Sequence, residues 1–295
     1  MPRVSAEQAR AIFGNAAPPA RVTERQFDGF DAELRALAQT PLDAITPHGL
    51  WYYLHDLAAV DLQPDLFAYL FPACLTFWYD SLLRNQDSAQ GDAEFHAALA
   101  RGRILQTMVT PAQRERILDY LHDGFLDRLD LERGFNTAAV EAPAFSWMRR
   151  FNSLALVVPL IERLWTAWWR METAGQAVAA LLYASALMYR RGENPLFPAL
   201  PHSPASGVPP LWENDSALFD DGWLPENLAF LRRTLTVEYL GQQVAAAARR
   251  LTGEPEEEMA AVLARDYELR ANVVASRGSS LLDLLAQPAP CAVDW

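Results

Sequence analysis

Between Pro64 and Arg84 the chain carries apolar side chains on every side of a helix: Leu66, Phe67, Tyr69, Leu70, Phe71, Leu75, Phe77, Trp78, Leu82 and Leu83. A surface helix keeps one polar face, whereas a helix apolar all round belongs in the middle of a core. The segment therefore demands other chain to surround it, and the remaining sequence predicts that this surround is helical. β-Branched alternation never persists. Helix-start signals recur instead. Ser5-Ala6-Glu7-Gln8, Thr23-Glu24-Arg25-Gln26 and Thr110-Pro111-Ala112-Gln113 each set a hydroxyl three residues before a glutamine, the pattern of a capping box. Thr46-Pro47, Leu224-Pro225 and Glu254-Pro255 put proline at a first helical position. Gly14 reads as a helix stop, and Pro72 as a kink inside the apolar helix. Arg114 to Leu131 is amphipathic, with Ile117, Leu118, Leu121, Phe125 and Leu129 on one face. The fold class is all-α, about ten helices in one or two packed bundles.

A length of 295 residues admits one large domain or two modest ones. The helical pattern breaks between Gly134 and Phe145, at Asn136-Thr137 and Pro143, which predicts an N-terminal helical domain over 1–135 and a C-terminal one over 145–295, or one continuous unit. A second break, Gly192 to Asn214, holds Pro195, Pro198, Pro201, Pro204, Pro209 and Pro210. That length and composition fit a functional loop or an extended crossing segment near 192–214.

Charge narrows the function. There are 37 acids against 25 bases, a formal charge of −12, and every base is arginine. With no lysine there is no Schiff-base amine, no Walker-type phosphate lysine and no lysine general base. The anionic balance argues against nucleic acid and against an anionic membrane as partner, and favours a basic protein surface. It is also uneven: residues 40–99 carry eight acids and only Arg84, and residues 192–231 carry six acids and no base. Cys74 lies in an apolar run far from Cys291, so neither a disulfide framework nor a cysteine-based zinc site is expected. The N-terminus lacks an apolar signal core, and the uncharged stretch Thr173 to Tyr189 is short for a membrane span, so a cytoplasmic location is expected.

The run Phe67-Ala68-Tyr69-Leu70-Phe71-Pro72-Ala73-Cys74-Leu75, followed by Thr110-Pro111-Ala112-Gln113-Arg114, resembles the core of an uncharacterised family of small, all-helical bacterial proteins. The resemblance covers about residues 25–130 and rests on packing and capping residues. It implies a fold and carries no activity with it.

Three constellations are candidates for chemistry. His96, His122 and Asp123 have the order of metal ligands in HD-type phosphohydrolases, which they resemble in spacing, and a metal there would activate water. His122-Asp123 is followed by Gly124-Phe125 in mid-helix, unlike the turn that those enzymes show. Asp119, His122, Asp123, Asp127 and Asp130 recur at spacings of three and four, an acidic stripe opposite the apolar face. It reads as a solvated face or as a contact for a basic partner. Trp212 and Trp223 flank Glu213, Asp215, Asp220 and Asp221, and aromatics set among acids suit an arginine- or lysine-bearing surface. Trp165, Trp168 and Trp169 share a helical face, as a core or as the lining of a ligand site.

The sequence thus favours a non-catalytic acidic binding protein without a cofactor. One form of it is an immunity protein that neutralises a basic toxin or effector. The partner-binding candidates are Trp212, Glu213, Asp215, Asp220, Asp221, Trp223, Asp119, Asp123 and Asp127. The alternatives are a metal-dependent phosphohydrolase built on His96, His122 and Asp123, and a helical small-molecule binder.

Overall fold

The structure, a computed structural model, describes residues 2–84, 95–96, 98–99, 104–135, 143–189, 193–196 and 223–286. Twelve α-helices run through the described residues, with no strand among them, so the fold is all-α as the sequence predicts. They are α1 (Ala6–Ile12), α2 (Asp31–Ala38), α3 (Pro47–Ala59), α4 (Pro64–Arg84), α5 (Ile104–Thr107), α6 (Pro111–Asp130), α7 (Pro143–Val157), α8 (Ile161–Trp168), α9 (Ala174–Met188), α10 (Pro225–Thr234), α11 (Val237–Arg250) and α12 (Glu257–Leu285). The chain divides into two compact units, Met1–Gly124 and Phe125–Trp295, and the division falls inside α6.

Most of the capping signals operate. Ser5 Oγ accepts from the Gln8 N–H at 3.2 Å, and Thr46 Oγ1 does the same for Gly49 at 3.2 Å. At the start of α6 the Gln113 N–H reaches Thr110 Oγ1, while Gln113 Oε1 takes the Thr110 N–H at 2.9 Å, a reciprocal capping box. Gly14, at φ +66°, ends α1.

The second box does not start a helix. Residues 21–30 are turn and coil, because longer-range partners take the capping groups. The N–H and hydroxyl of Thr23 both donate to Gln63 Oε1, at 2.6 and 3.0 Å. Gln26 spends its side chain elsewhere: Nε2 donates to the Tyr52 carbonyl at 3.0 Å and Oε1 accepts from the Phe30 N–H at 2.9 Å. A capping box is worth about 1 kcal/mol, and this set of long-range bonds outweighs it.

In the N-terminal unit α4 packs against α1, α2 and α3. Its Phe67 and Phe71 meet Phe13, just after α1, at ring-centroid distances of 5.7 and 5.8 Å, and Trp78 and Cys74 are fully buried. The helix runs through Pro72 without ending there. By length and composition α4 is apolar enough to cross a membrane, and 67% of its most apolar window is buried within the protein. Gly124 sits in mid-helix because α6 lies close to that same surface: a Cβ there would come within 3.1–3.2 Å of Tyr79 and Trp78.

In the C-terminal unit α9 is the axis. Every residue from Ala174 to Met188 is buried, and α7, α11 and α12 pack around it. Its alanines let neighbouring helices approach, and Gly175 is required outright, since a Cβ there would lie 2.4 Å from the Asp130 carbonyl oxygen. The tryptophans form a core, not a lining: Trp147, Trp165 and Trp168 are fully buried around Phe151 and Tyr183, and Trp165 stacks on Trp169 at 4.5 Å. The acidic stripe of α6 is not a solvated face in its second half. Asp127 is buried, and Asp130 is enlisted at the N-terminus of α9, where its Oδ1 accepts from Thr173 Oγ1 at 2.8 Å and Gln176 Nε2 at 2.9 Å. A carboxylate at a helix N-terminus is favoured by the helix dipole.

Candidate binding surface

Helix α3 has two faces. Leu50, Tyr53, Leu54 and Leu57 point inward and are almost wholly buried. His48, Trp51, Tyr52 and His55 fall at i, i+3, i+4 and i+7, which places them together on the opposite side, exposed or half-buried. Their rings touch in series: His48 to Tyr52 at 5.8 Å, Tyr52 to Trp51 at 5.5 Å and Trp51 to His55 at 4.3 Å.

The coil before α2 extends this row. A turn at Gln26–Gly29, with Gly29 at φ +83° and its N–H bonded to the Gln26 carbonyl at 3.1 Å, lifts Phe27 and Phe30 outward. Phe27 is 59% exposed and Phe30 41%, and the Phe30 ring lies 4.8 Å from Tyr52. Side-chain bonds hold the turn. Asp31 Oδ1 accepts the Gln26 N–H at 2.9 Å, and Asp28 Oδ2 lies 2.6 Å from His55 Nδ1. The result is a run of touching rings, Phe30, His48, Tyr52, Trp51 and His55, exposed or half-buried, with the exposed Phe27 on the same turn as Phe30.

Its surroundings are anionic. Residues 26–61 contain Asp28, Asp31, Glu33, Asp43, Asp56 and Asp61 against Arg35 alone, a formal −5. Arg10 is bonded to Asp43, and Arg25 reaches Asp31 at 3.3 Å. Ring faces beside carboxylates can hold a guanidinium or ammonium group, the rings through their quadrupole and the carboxylates through charge-assisted hydrogen bonds.

The residues singled out in the sequence are distributed differently. Asp119 is exposed and Asp123 half-buried, and both line an open groove of about 170 Å³ with Val4, Gln8, Ile12, Arg116 and Tyr120. Pockets for organic ligands run to about 300–1,000 Å³, so this groove has room for a side chain at most. Asp127 and Trp223 are buried, at 7% and 3% exposure, so neither is part of the surface. Trp212, Glu213, Asp215, Asp220 and Asp221, with most of the proline-rich stretch 192–214, lie outside the described residues. His96 is buried and its Nε2 faces the Trp78 indole N–H at 3.3 Å, while His122 Nδ1 lies 2.8 Å from Asp123 Oδ1. Among the described residues no group of three or more His, Cys, Asp or Glu converges on a point that could hold a metal.

Sequence reasoning passed over the aromatic face, although its signal was present. The spacing His48-x-x-Trp51-Tyr52-x-x-His55 is a one-face stripe, and only the depth of the inward face shows that it points out. Comparison with family models, with curated proteins and with solved structures finds no match for this chain.

Proposed function

We propose that the chain is a non-catalytic binding protein whose aromatic face on α3 receives a cationic segment of a partner protein. The observation that carries this reading is a set of rings, Phe27 and Phe30 exposed and Trp51 and Tyr52 half-buried, inside a stretch of formal charge −5. Tryptophan and tyrosine dominate binding energy at interfaces, and complementary charge speeds encounter. An immunity protein that covers the basic active site of a toxin is one concrete form, supported by the anionic balance of the whole chain. Apolar ring faces would displace water from an arginine stem, and Asp28 and Asp31 would meet its guanidinium.

A nona-arginine peptide serves as the probe. Calorimetry with the full-length protein should show binding that weakens with added salt, because exposed charges more than about 10 Å apart are screened at 0.1 M. Trp51→Ala should weaken it about tenfold or more, the effect of losing about 1.4 kcal/mol. Phe27→Ala should weaken it while leaving stability within about 0.5 kcal/mol, since the ring is mostly exposed. Equal affinity for wild type and Trp51→Ala, or no binding at low salt, contradicts the proposal.

A further inference from the structure

The segment and the helix that carry the aromatic face also hold three buried polar side chains, Glu24 before the turn and Tyr53 and Asp56 on α3. One oxygen of each carboxyl group ties down backbone: the Gln63 N–H donates to Glu24 Oε2 at 2.6 Å, and the Phe27 N–H donates to Asp56 Oδ1 at 2.7 Å. The other oxygens, Glu24 Oε1 and Asp56 Oδ2, have no hydrogen-bond partner among the described residues, and neither has Tyr53 Oη. Buried polar atoms are nearly always satisfied, so three orphans in one locality mark a place where the protonation state decides the energy. These bonds also fasten the segment that carries Phe27 and Phe30. Thr23 and Glu24 donate to Gln63 Oε1, and Phe27 hangs on Asp56.

We infer that Glu24 and Asp56 form a proton-operated clasp: with a proton on the pair, segment 21–30 is held against α3 and the start of α4, and with both groups ionised the buried like charges loosen that segment and its two phenylalanines. The clasp itself needs no ligand, but its role as regulator of binding rests on the reading of the aromatic face given above.

The electrostatics agree. Burial first, and the charge of Asp56 after it, push Glu24 from its ordinary 4.5 up to about 7, against the pull of the Gln63 N–H. Burial raises Asp56 from 3.8 to about 6, with Asp28 and Asp31 adding to the rise and the Phe27 N–H and His55 opposing it. The groups that face the pair are Tyr53 and His55 from α3 and Asp28 and Asp31 from the turn and the start of α2, and the buried Cys74 thiol from α4, which burial keeps neutral, lies by Tyr53. Arg25 is turned away to Asp31, and Asp65 at the start of α4 binds Gln63 Nε2 at 2.6 Å. For a carboxyl group raised on folding, the stabilisation is complete below its unfolded value and is lost as pH rises through its folded value. Docking of the segment is therefore firmest below pH 4 and weakens through about 6 and about 7.

Amide hydrogen exchange of residues 21–31 in the full-length protein, corrected for intrinsic rates, tests the clasp. Protection should fall about tenfold or more between pH 5 and pH 8, since each unit of pKa shift is a tenfold effect. Glu24→Gln keeps an oxygen for the Gln63 N–H and should remove the part of that slope near 7 while leaving the Asp56 part near 6, whereas His55→Gln should leave the part near 7. A flat wild-type profile, a slope undiminished by Glu24→Gln, or one abolished by His55→Gln overturns the clasp. Carboxyl ¹³C NMR of the wild type decides the same point without a variant: titration of Glu24 near 7 supports it, and titration near 4.5 overturns it. Nona-arginine binding measured at both ends of this range separates the two claims. A weakening toward pH 8 in wild type that Glu24→Gln reduces supports regulation, and binding indifferent to a demonstrated loosening overturns it. No binding at any pH defeats the binding reading and leaves the clasp standing.

Discussion

Single residues carry the close tolerances of this fold. Gly175 is the sharpest case, because α9 approaches the end of α6 until a Cβ would lie 2.4 and 2.5 Å from the carbonyl oxygens of Asp130 and Leu129. Backbone cannot swing aside as a side chain can. Gly175→Ala should therefore cost about 1–3 kcal/mol, the usual toll of overpacking, despite the better helix propensity of alanine. A urea titration of the variant reads this directly, and a stabilised variant would contradict it. Asp130 is the other precise point. It accepts from Thr173 and Gln176, so Asp130→Ala leaves two donors without their charged acceptor and should cost about 2–3 kcal/mol in the same assay. These two residues explain why a spacing argument placed Asp130 with Asp119 and Asp123 on a solvated stripe. The spacing is that of one helical face, but from Gly124 to Leu129 every residue of α6 is buried, with Phe125 against Phe151 at 6.2 Å.

Elements show how much of the fold is legible in a sequence and where that legibility ends. Local chemistry was enough for the starts of α1, α3 and α6, where Ser5, Thr46 and Thr110 cap the helices that their spacing announces. Thr110→Ala should lower stability by about 1 kcal/mol, checked by thermal unfolding against Thr46→Ala as a second cap of the same kind. Thr23-Glu24-Arg25-Gln26 has the same local signature and no helix. Gln63, forty residues along the chain, takes the Thr23 N–H, and only tertiary structure brings it there. The tryptophans divide in the same manner. Trp165 and Trp168 could be placed in a core from their spacing, since aromatic residues on one helical face beside an alanine-rich helix need a common interior. Trp51 could not, because the stripe His48, Trp51, Tyr52, His55 and the stripe Leu50, Tyr53, Leu54, Leu57 are both apolar enough to be the inward one. Which stripe faces in is settled by the pairing of α3 with α2 and α4, a long-range property.

At the scale of the molecule, an anionic chain presents an aromatic surface whose footing is a pair of buried carboxyl groups. The proposed association with a cationic segment rests on the first feature, and the inferred sensitivity to pH near neutrality rests on the second. The measurement that bears most directly on this account is hydroxyl-radical footprinting of the full-length protein with and without nona-arginine at low salt. The account predicts that Phe27, Phe30, Trp51 and Tyr52 become protected together and that protection fades as salt is raised. Protection confined to the groove around Asp119 and Asp123, or no change at Trp51 under conditions where the peptide binds, would contradict it.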